Sequence, residues 1–177
     1  MTSNYIQMPD FKEYHKAYAT YFANQNTKRT PLLSWNFYGD YLSQLSKTLN
    51  DEQQLSVMAN RNGWVTKDFQ PVLDNETVVV VTCSKLKIVF ASKNIVRMNG
   101  YEPEEIIGKS PKIFQGAKTC TTTSGEIRQA IENRQSFEKM VINYRKDGSI
   151  YKCHIKSFPI FNKQGELSHF IAFEKAA

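Results

Sequence analysis

Few side chains in this 177-residue sequence are suited to chemistry, and their spacing excludes most of what they could do. His15, His154 and His169 share no metal-ligand spacing. Cys83, Cys120 and Cys153 are odd in number and far apart, with no CxxC pair, so neither a zinc site nor a disulfide framework is expected. No Ser/His/Asp grouping, P-loop or GxGxxG occurs. Glu174 and Cys153 remain, and nothing supplies the second group that catalysis at either would need. The chain therefore reads as a non-enzyme without catalytic or metal-binding residues. Alternation along its strand puts Glu174 on one face with Phe170 and Ala172. There it is either an inward carboxyl with a raised pKa or a solvated glutamate at a fraying strand end. Cys153 is either redox-active or a small apolar filler.

Bulk properties narrow the class. The sequence is 41% hydrophobic and 23% charged, ordinary for a globular protein. No apolar run exceeds four residues, as at Val78–Val81, too short to span a membrane. The start, Met-Thr-Ser-Asn-Tyr, lacks a signal-peptide layout, and the expected compartment is the cytoplasm. The net charge of +6 is uneven: residues 1–75 carry 7 of the 23 Lys/Arg and 7 of the 17 Asp/Glu, so the surplus lies in residues 76–177. Basic runs are only dipeptides such as Lys28-Arg29 and Arg145-Lys146, which argues against a nucleic-acid partner.

Two regions must position these groups. Residues 10–62 are helical in pattern. Phe11, Tyr14, Tyr18 and Tyr21 make one aromatic stripe, a loop is expected over Asn24–Pro31, and Leu32, Trp35, Tyr38, Tyr41, Leu42, Leu45 and Leu49 make a second. Asn50 or Asp51 is expected to cap a further turn or helix carrying Leu55 and Met58, stopped by Asn62-Gly63. From Thr77 the pattern is strand-like. Val78–Val81 reads as a strand buried on both faces, and Ile88–Ala91 as a second. Short helical pieces follow over residues 93–115, then a longer helix over Glu126–Asn133. Lys146-Asp147-Gly148 is a hairpin turn between strands at Phe137–Arg145 and Ser149–Ile160. In the second of these, Lys152, His154 and Lys156 alternate with Tyr151, Cys153, Ile155 and Ser157, one charged face and one neutral. Asn162–Gly165 turns into a last strand from Leu167 to Glu174. That order is an α+β arrangement around an antiparallel sheet.

The motifs along residues 77–175 resemble those of PAS domains, and among them the flavin-binding LOV subgroup. The resemblance rests on Phe90-Ala91-Ser92-Lys93-Asn94 leading to Met98-Asn99-Gly100-Tyr101, on Pro103-Glu104-Glu105-Ile106-Ile107-Gly108, on Ile142–Gly148 and on Gly165-Glu166-Leu167. It implies a five-stranded antiparallel sheet with short helices on one face, and the helical pattern of residues 10–62 precedes it as an extension. The LOV signature stretch corresponds to Gly108–Gln115, where Gly108 and Gln115 agree. Pro111 replaces the photoreactive cysteine and Ser110 the flavin-contacting asparagine. By the same resemblance Lys112 and Arg128 stand where phosphate-binding arginines are found, although both also read as ordinary surface cations. Asn143 matches the first flavin-contacting asparagine, Cys153 replaces the second, and Glu174 replaces a glutamine.

These departures bear on the ligand. Proline carries no thiol for a cysteinyl–flavin adduct, and a flavin edge needs matched donors and acceptors. The expected function is a PAS-type sensory or signalling module that acts through small-ligand binding and protein–protein contact, without flavin. The alternative is a LOV-like photosensor or redox sensor that holds FMN but forms no adduct. The candidate cofactor-binding residues in that case are Ser110, Lys112, Gln115, Arg128, Asn143, Cys153 and Glu174. Residues 1–75 are expected to form the helical extension and 76–177 the PAS domain. Ile142, Tyr144, Ile171 and Phe173 alternate outward yet are apolar, so something must cover that face. The aromatic stripes of residues 11–49 are the expected cover, within one chain or across a homodimer. Besides a small ligand, the expected partners are a second copy or another signalling protein.

Overall fold

The computed structural model describes residues 32–65 and 76–177. The stripe Phe11–Tyr21 and the loop at Asn24–Pro31 lie outside them, as do the side chains of Leu32, Trp35, Tyr38, Tyr41 and Leu45. The chain divides into two compact units, Met1–Asp40 and Tyr41–Ala177, and the second holds every contact described below.

Helix α1 spans Leu32–Arg61 without interruption. The expected break at Asn50 or Asp51 is absent. Asp51 caps no helix. Its Oδ2 instead accepts a hydrogen bond from the Lys93 backbone N–H at 2.8 Å, and the side chain is buried. A partner distant in sequence has taken the role that a local cap would have had. Burial pushes the Asp51 carboxyl up, and the Lys93 N–H offsets part of that. Gly63, at φ +58°, then turns the chain, a conformation glycine adopts without strain.

Among the described residues the sheet has six strands, the five expected over residues 76–177 and one short strand before them. They are β1 (Trp64–Val65), β2 (Val78–Cys83), β3 (Ile88–Ala91), β4 (Phe137–Tyr144), β5 (Ile150–Asn162) and β6 (Leu167–Ala176). All pairings are antiparallel, in the order β1-β5-β6-β2-β3, with β4 also on β5. The added strand is two residues long, and no sequence period reveals so short a piece. The register of β2 on β3 shifts between Val81 and Thr82, leaving Val89 unpaired as a bulge. Between β3 and β4 lie α2 (Ile95–Asn99), α3 (Pro103–Ile106), a 3₁₀ turn (Pro111–Phe114) and α4 (Thr121–Glu132). Helix α4 starts five residues earlier than its apolar pattern indicates, with Cys120 at the N-cap position. Glu102 and Glu105 cap α3 reciprocally.

Strand β2 is buried on both faces, as its run of valines requires. Val78 and Val80 join Ile88, Ala91, Ile95, Met98, Ile106, Phe114, Tyr151 and Cys153 in a core beneath the short helices. Val79 and Val81 join Leu55, Phe90, Ile160 and Ile171 on the other face, with Met58, Trp64, Phe158 and Phe173 packed around them. Among the described residues, the cover on that outer face comes from residues 55–64. Leu42 and Leu49 of the expected covering stripe are instead exposed. Of the four outward apolar residues, Ile171 and Phe173 are covered in this way. Tyr144 is covered differently: its ring lies so close to Gly116 that a Cβ there would fall 2.5 Å away, and its hydroxyl accepts the Lys118 N–H at 2.9 Å. Gly116 is required by that approach.

Among the described side chains of α1, Leu55 is the one most deeply inserted into the outer core. Leu55→Ala should lower unfolding stability by about 2–4 kcal/mol through the cavity it leaves, read as a lower midpoint in urea at constant m-value.

Candidate ligand-binding site

Period 2 along β5 sends Tyr151, Cys153 and Ser157 inward and leaves Lys152 and Lys156 exposed, as the alternation predicts. Neighbouring elements bring three further polar groups to the inner face. Asn143 on β4 pairs in register with Tyr151. Glu174 on β6 lies between Val78 of β2 and Ile155 of β5. Asn99 enters from the last turn of α2, which Gly100 ends in the left-handed conformation. The β4–β5 hairpin holds that turn in place. The Lys146 N–H donates to the Asn99 carbonyl, Arg145 Nε donates to the Met98 carbonyl, and the Arg145 guanidinium lies 4.7 Å from the Tyr151 ring centre.

Glu174 is 6% exposed, which decides between the two readings of it: the side chain is inward, not solvated at a strand end. Its hydrogen-bond partner is the Cys153 thiol, whose Sγ lies 3.6 Å from Oε2. Burial raises the Glu174 pKa to about 7, and the thiol's hydrogen bond offsets only part of that. Cys153 is fully buried. Its pKa is driven upward by burial first and then by the nearby Glu174 charge, so it stays a thiol. The Tyr151 phenol is likewise raised by burial and by Cys153 and Glu174, with the Asn143 and Asn99 amides opposing weakly. Two atoms of this group are buried without a hydrogen-bond partner, Asn99 Nδ2 and Tyr151 Oη. The Asn99 Oδ1, by contrast, accepts the Tyr101 N–H at 3.1 Å.

The structure thus gathers Asn143, Cys153 and Glu174 and adds Tyr151 and Asn99, which the motif comparison did not single out. Inward alternation with Cys153 was the available signal for Tyr151. Nothing local marks Asn99. The other named residues are placed differently. Lys112, Gln115 and Arg128 are exposed, and half-buried Ser110 heads the 3₁₀ turn, with Oγ accepting the Lys112 N–H at 3.5 Å. His169 lies buried on the outer core's side, where its Nδ1 accepts from Trp64 Nε1 at 3.1 Å, and burial lowers its pKa. Among the described residues no group of three His, Cys, Asp or Glu could hold a metal, and no helix is long and apolar enough to cross a membrane.

A carboxyl whose pKa is higher folded than unfolded binds its proton more tightly in the folded state. Its stabilising contribution is complete below about pH 4.5 and is lost as the pH rises to about 7. Glu174→Gln should flatten that decline. Relative to the natural chain, the variant should gain on the order of 3 kcal/mol between pH 4.5 and pH 8 in urea unfolding. An equal pH dependence in both proteins would refute the assignment.

Comparison with known proteins fits this geometry. The sequence is 34% identical over 125 residues to Protein TWIN LOV 1 of Arabidopsis thaliana, covering 70% of this chain and 31% of that protein. It is 27% identical over 107 residues to a nitrogen fixation regulatory protein of Klebsiella oxytoca, covering 60% of this chain and 22% of that one. The chain therefore spans a third or less of these relatives' length. The light-state structure of the Aureochrome1 LOV domain superposes with a TM-score of 0.55 at 23% identity, over 58% of this chain and 82% of that one, a likeness of fold. The PAS domain model matches residues 75–175, more than half of the sequence and all of the sheet except β1 and the end of β6, and on that match the chain belongs to the PAS domain family.

Proposed function

We propose that this chain is a sensory module that binds a small molecule on the helix-covered face of its sheet and signals through protein contact. The observation that carries the reading is Glu174. A carboxyl this deeply buried, with a thiol as its hydrogen-bond partner, costs stability, and such groups concentrate at functional sites. Its place in a PAS domain supports sensing rather than catalysis.

The residues do not fit FMN as a full set. Asn143 offers a buried amide, but Cys153 and Glu174 bond to each other, and Lys112 and Arg128 are exposed. Pro111 carries no thiol. The ligand proposed is accordingly not a flavin. A second reading, a flavin photosensor or redox sensor without an adduct, draws on the relative named TWIN LOV 1 and on the burial of Asn143. Absorbance and native mass spectrometry of the purified protein separate the two. A released compound without flavin bands is expected. Yellow protein that releases flavin on denaturation would establish the second reading. A bare chain mass would count against ligand sensing.

The outward side of α1 supports the contact role. Leu42, Leu49 and Val57 are exposed and share one side of the helix, opposite Leu55 and Met58. The proposed partner there is a second copy of the chain. Light scattering should report a dimer that becomes monomeric in a Leu49→Glu, Val57→Glu variant. A monomeric natural chain would end the homodimer reading.

A further inference from the structure

Two partners meet one nitrogen at the edge of the outer core. His169 Nδ1 lies 3.1 Å from Trp64 Nε1 and 2.6 Å from Ser168 Oγ. An indole nitrogen can only donate, so Nδ1 accepts and the neutral ring carries its proton on Nε2. A serine hydroxyl can donate or accept. The two partners therefore respond differently when the ring takes a second proton, which must go to Nδ1. Ser168 turns from donor to acceptor and keeps its bond, now to a cation. Trp64 is left with its N–H facing another N–H.

That bond fastens one end of α1. Trp64 and Val65 are the whole of β1, which pairs only with β5. Asn62 and Gly63 join β1 directly to the end of α1 at Arg61. The Trp64 ring also stacks on His169, with centroids 5.1 Å apart. Farther up α1, Leu55 and Asp51 have separate contacts with the outer core and with Lys93. Loss of the Trp64 bond thus frees the C-terminal end of the helix and not its middle.

Few titratable groups surround the imidazole. On β2 the residue in register with His169 is Cys83, and on β5 it is the uncharged Ile160. In the β5–β6 turn, Lys163 lies against Gly63 and Glu166 accepts from Asn162 Nδ2 at 3.1 Å. Burial lowers the His169 pKa below its ordinary 6.5, and no neighbouring charge adds to that. A histidine with a lower pKa folded than unfolded contributes stability that is complete above about pH 6.5 and is lost as the pH falls through the folded value.

We infer that Trp64, His169 and Ser168 form an acid-released catch, in which protonation of Nδ1 passes the imidazole from Trp64 to Ser168 and frees the C-terminal end of α1 from the sheet. The inference needs no ligand and goes beyond the sensory reading. It makes the helix that carries the proposed contact surface responsive to pH.

Nuclear magnetic resonance of the ¹⁵N-labelled full chain tests it. At pH 8 the imidazole nitrogens of His169 should report the proton on Nε2. As the pH falls, the Trp64 indole N–H cross-peak should move to the position of a water-exposed indole, with the same midpoint as the His169 ring and below pH 6.5. The backbone resonances of β2 should stay in place. His169→Asn keeps an acceptor but cannot titrate, and its Trp64 cross-peak should not move. Ser168→Ala should lower the midpoint by about half a unit, because the hydroxyl's bond to the cationic ring is the stronger of its two. A proton on Nδ1 at pH 8 would overturn the inference, as would a His169 that titrates while Trp64 stays still, or one that stays neutral down to about pH 4.5. Glu174 is retained in His169→Asn, so a Trp64 shift that persists there would assign the effect to that carboxyl and overturn the catch. An unchanged or raised midpoint in Ser168→Ala would overturn the exchange of partners. The tautomer and the joint titration of the natural chain decide even if a variant fails to fold.

Discussion

The arrangement depends on strand β2, whose four valines point alternately to two faces that must both be kept from water. At roughly 25 cal/mol per Å² of apolar surface, neither face can be left open without a large loss. One face is closed by α2, α3 and the 3₁₀ turn, the other by Leu55, Met58 and Trp64. The pairings β3-β2-β6-β5 follow from the central position this gives β2. Because the inner face is closed, its side chains are buried. Burial there raises the Glu174 pKa from the ordinary carboxylate range to about 7.

Polar contacts tie the two faces together across the sheet's edge. Asp51 on α1 accepts the Lys93 N–H, and the neighbouring Ser92 Oγ accepts the Val79 N–H of β2. Ser92 also donates to Asn94 Oδ1, and Asn94 Nδ2 donates to the Thr77 carbonyl. The next residues are α2, which ends at Asn99 in the inner polar group. The outer helix and the candidate site are thus joined by one turn of chain whose polar groups are nearly all matched. A carboxylate buried at the start of that turn is costly on its own and affordable there because a backbone donor meets it.

The inner polar group divides into a matched part and an unmatched part. Cys153 and Glu174 satisfy each other, while the Asn99 and Asn143 amides crowd the Tyr151 phenol without a well-aligned hydrogen bond at Asn99 Nδ2 or Tyr151 Oη. Exposed ion pairs elsewhere, such as Lys146–Glu105 at 2.6 Å and Lys139–Glu126 at 2.6 Å, are screened by water and contribute little by comparison. The hairpin turn that carries Lys146 matters more for its backbone, which holds α2's end against β5.

Local patterning in the sequence determined the sheet, its hairpin at Asp147-Gly148, the double burial of Val78–Val81 and the inward set of β5. Each of these depends on residues a few positions apart, where side-chain period and turn geometry are settled by the backbone itself. The motifs of residues 77–175 likewise pointed to Asn143, Cys153 and Glu174. Tertiary structure alone decided that α1 runs through Asp51, since the deciding partner, Lys93, is 42 residues away. It alone added the two-residue strand β1, set Leu55 and Met58 against the outer face while leaving Leu42 and Leu49 exposed, and set Tyr144 against Gly116. It also brought the Asn99 and Asn143 amides to the Tyr151 phenol, because whether a donor meets an acceptor depends on distances between segments that no local period encodes.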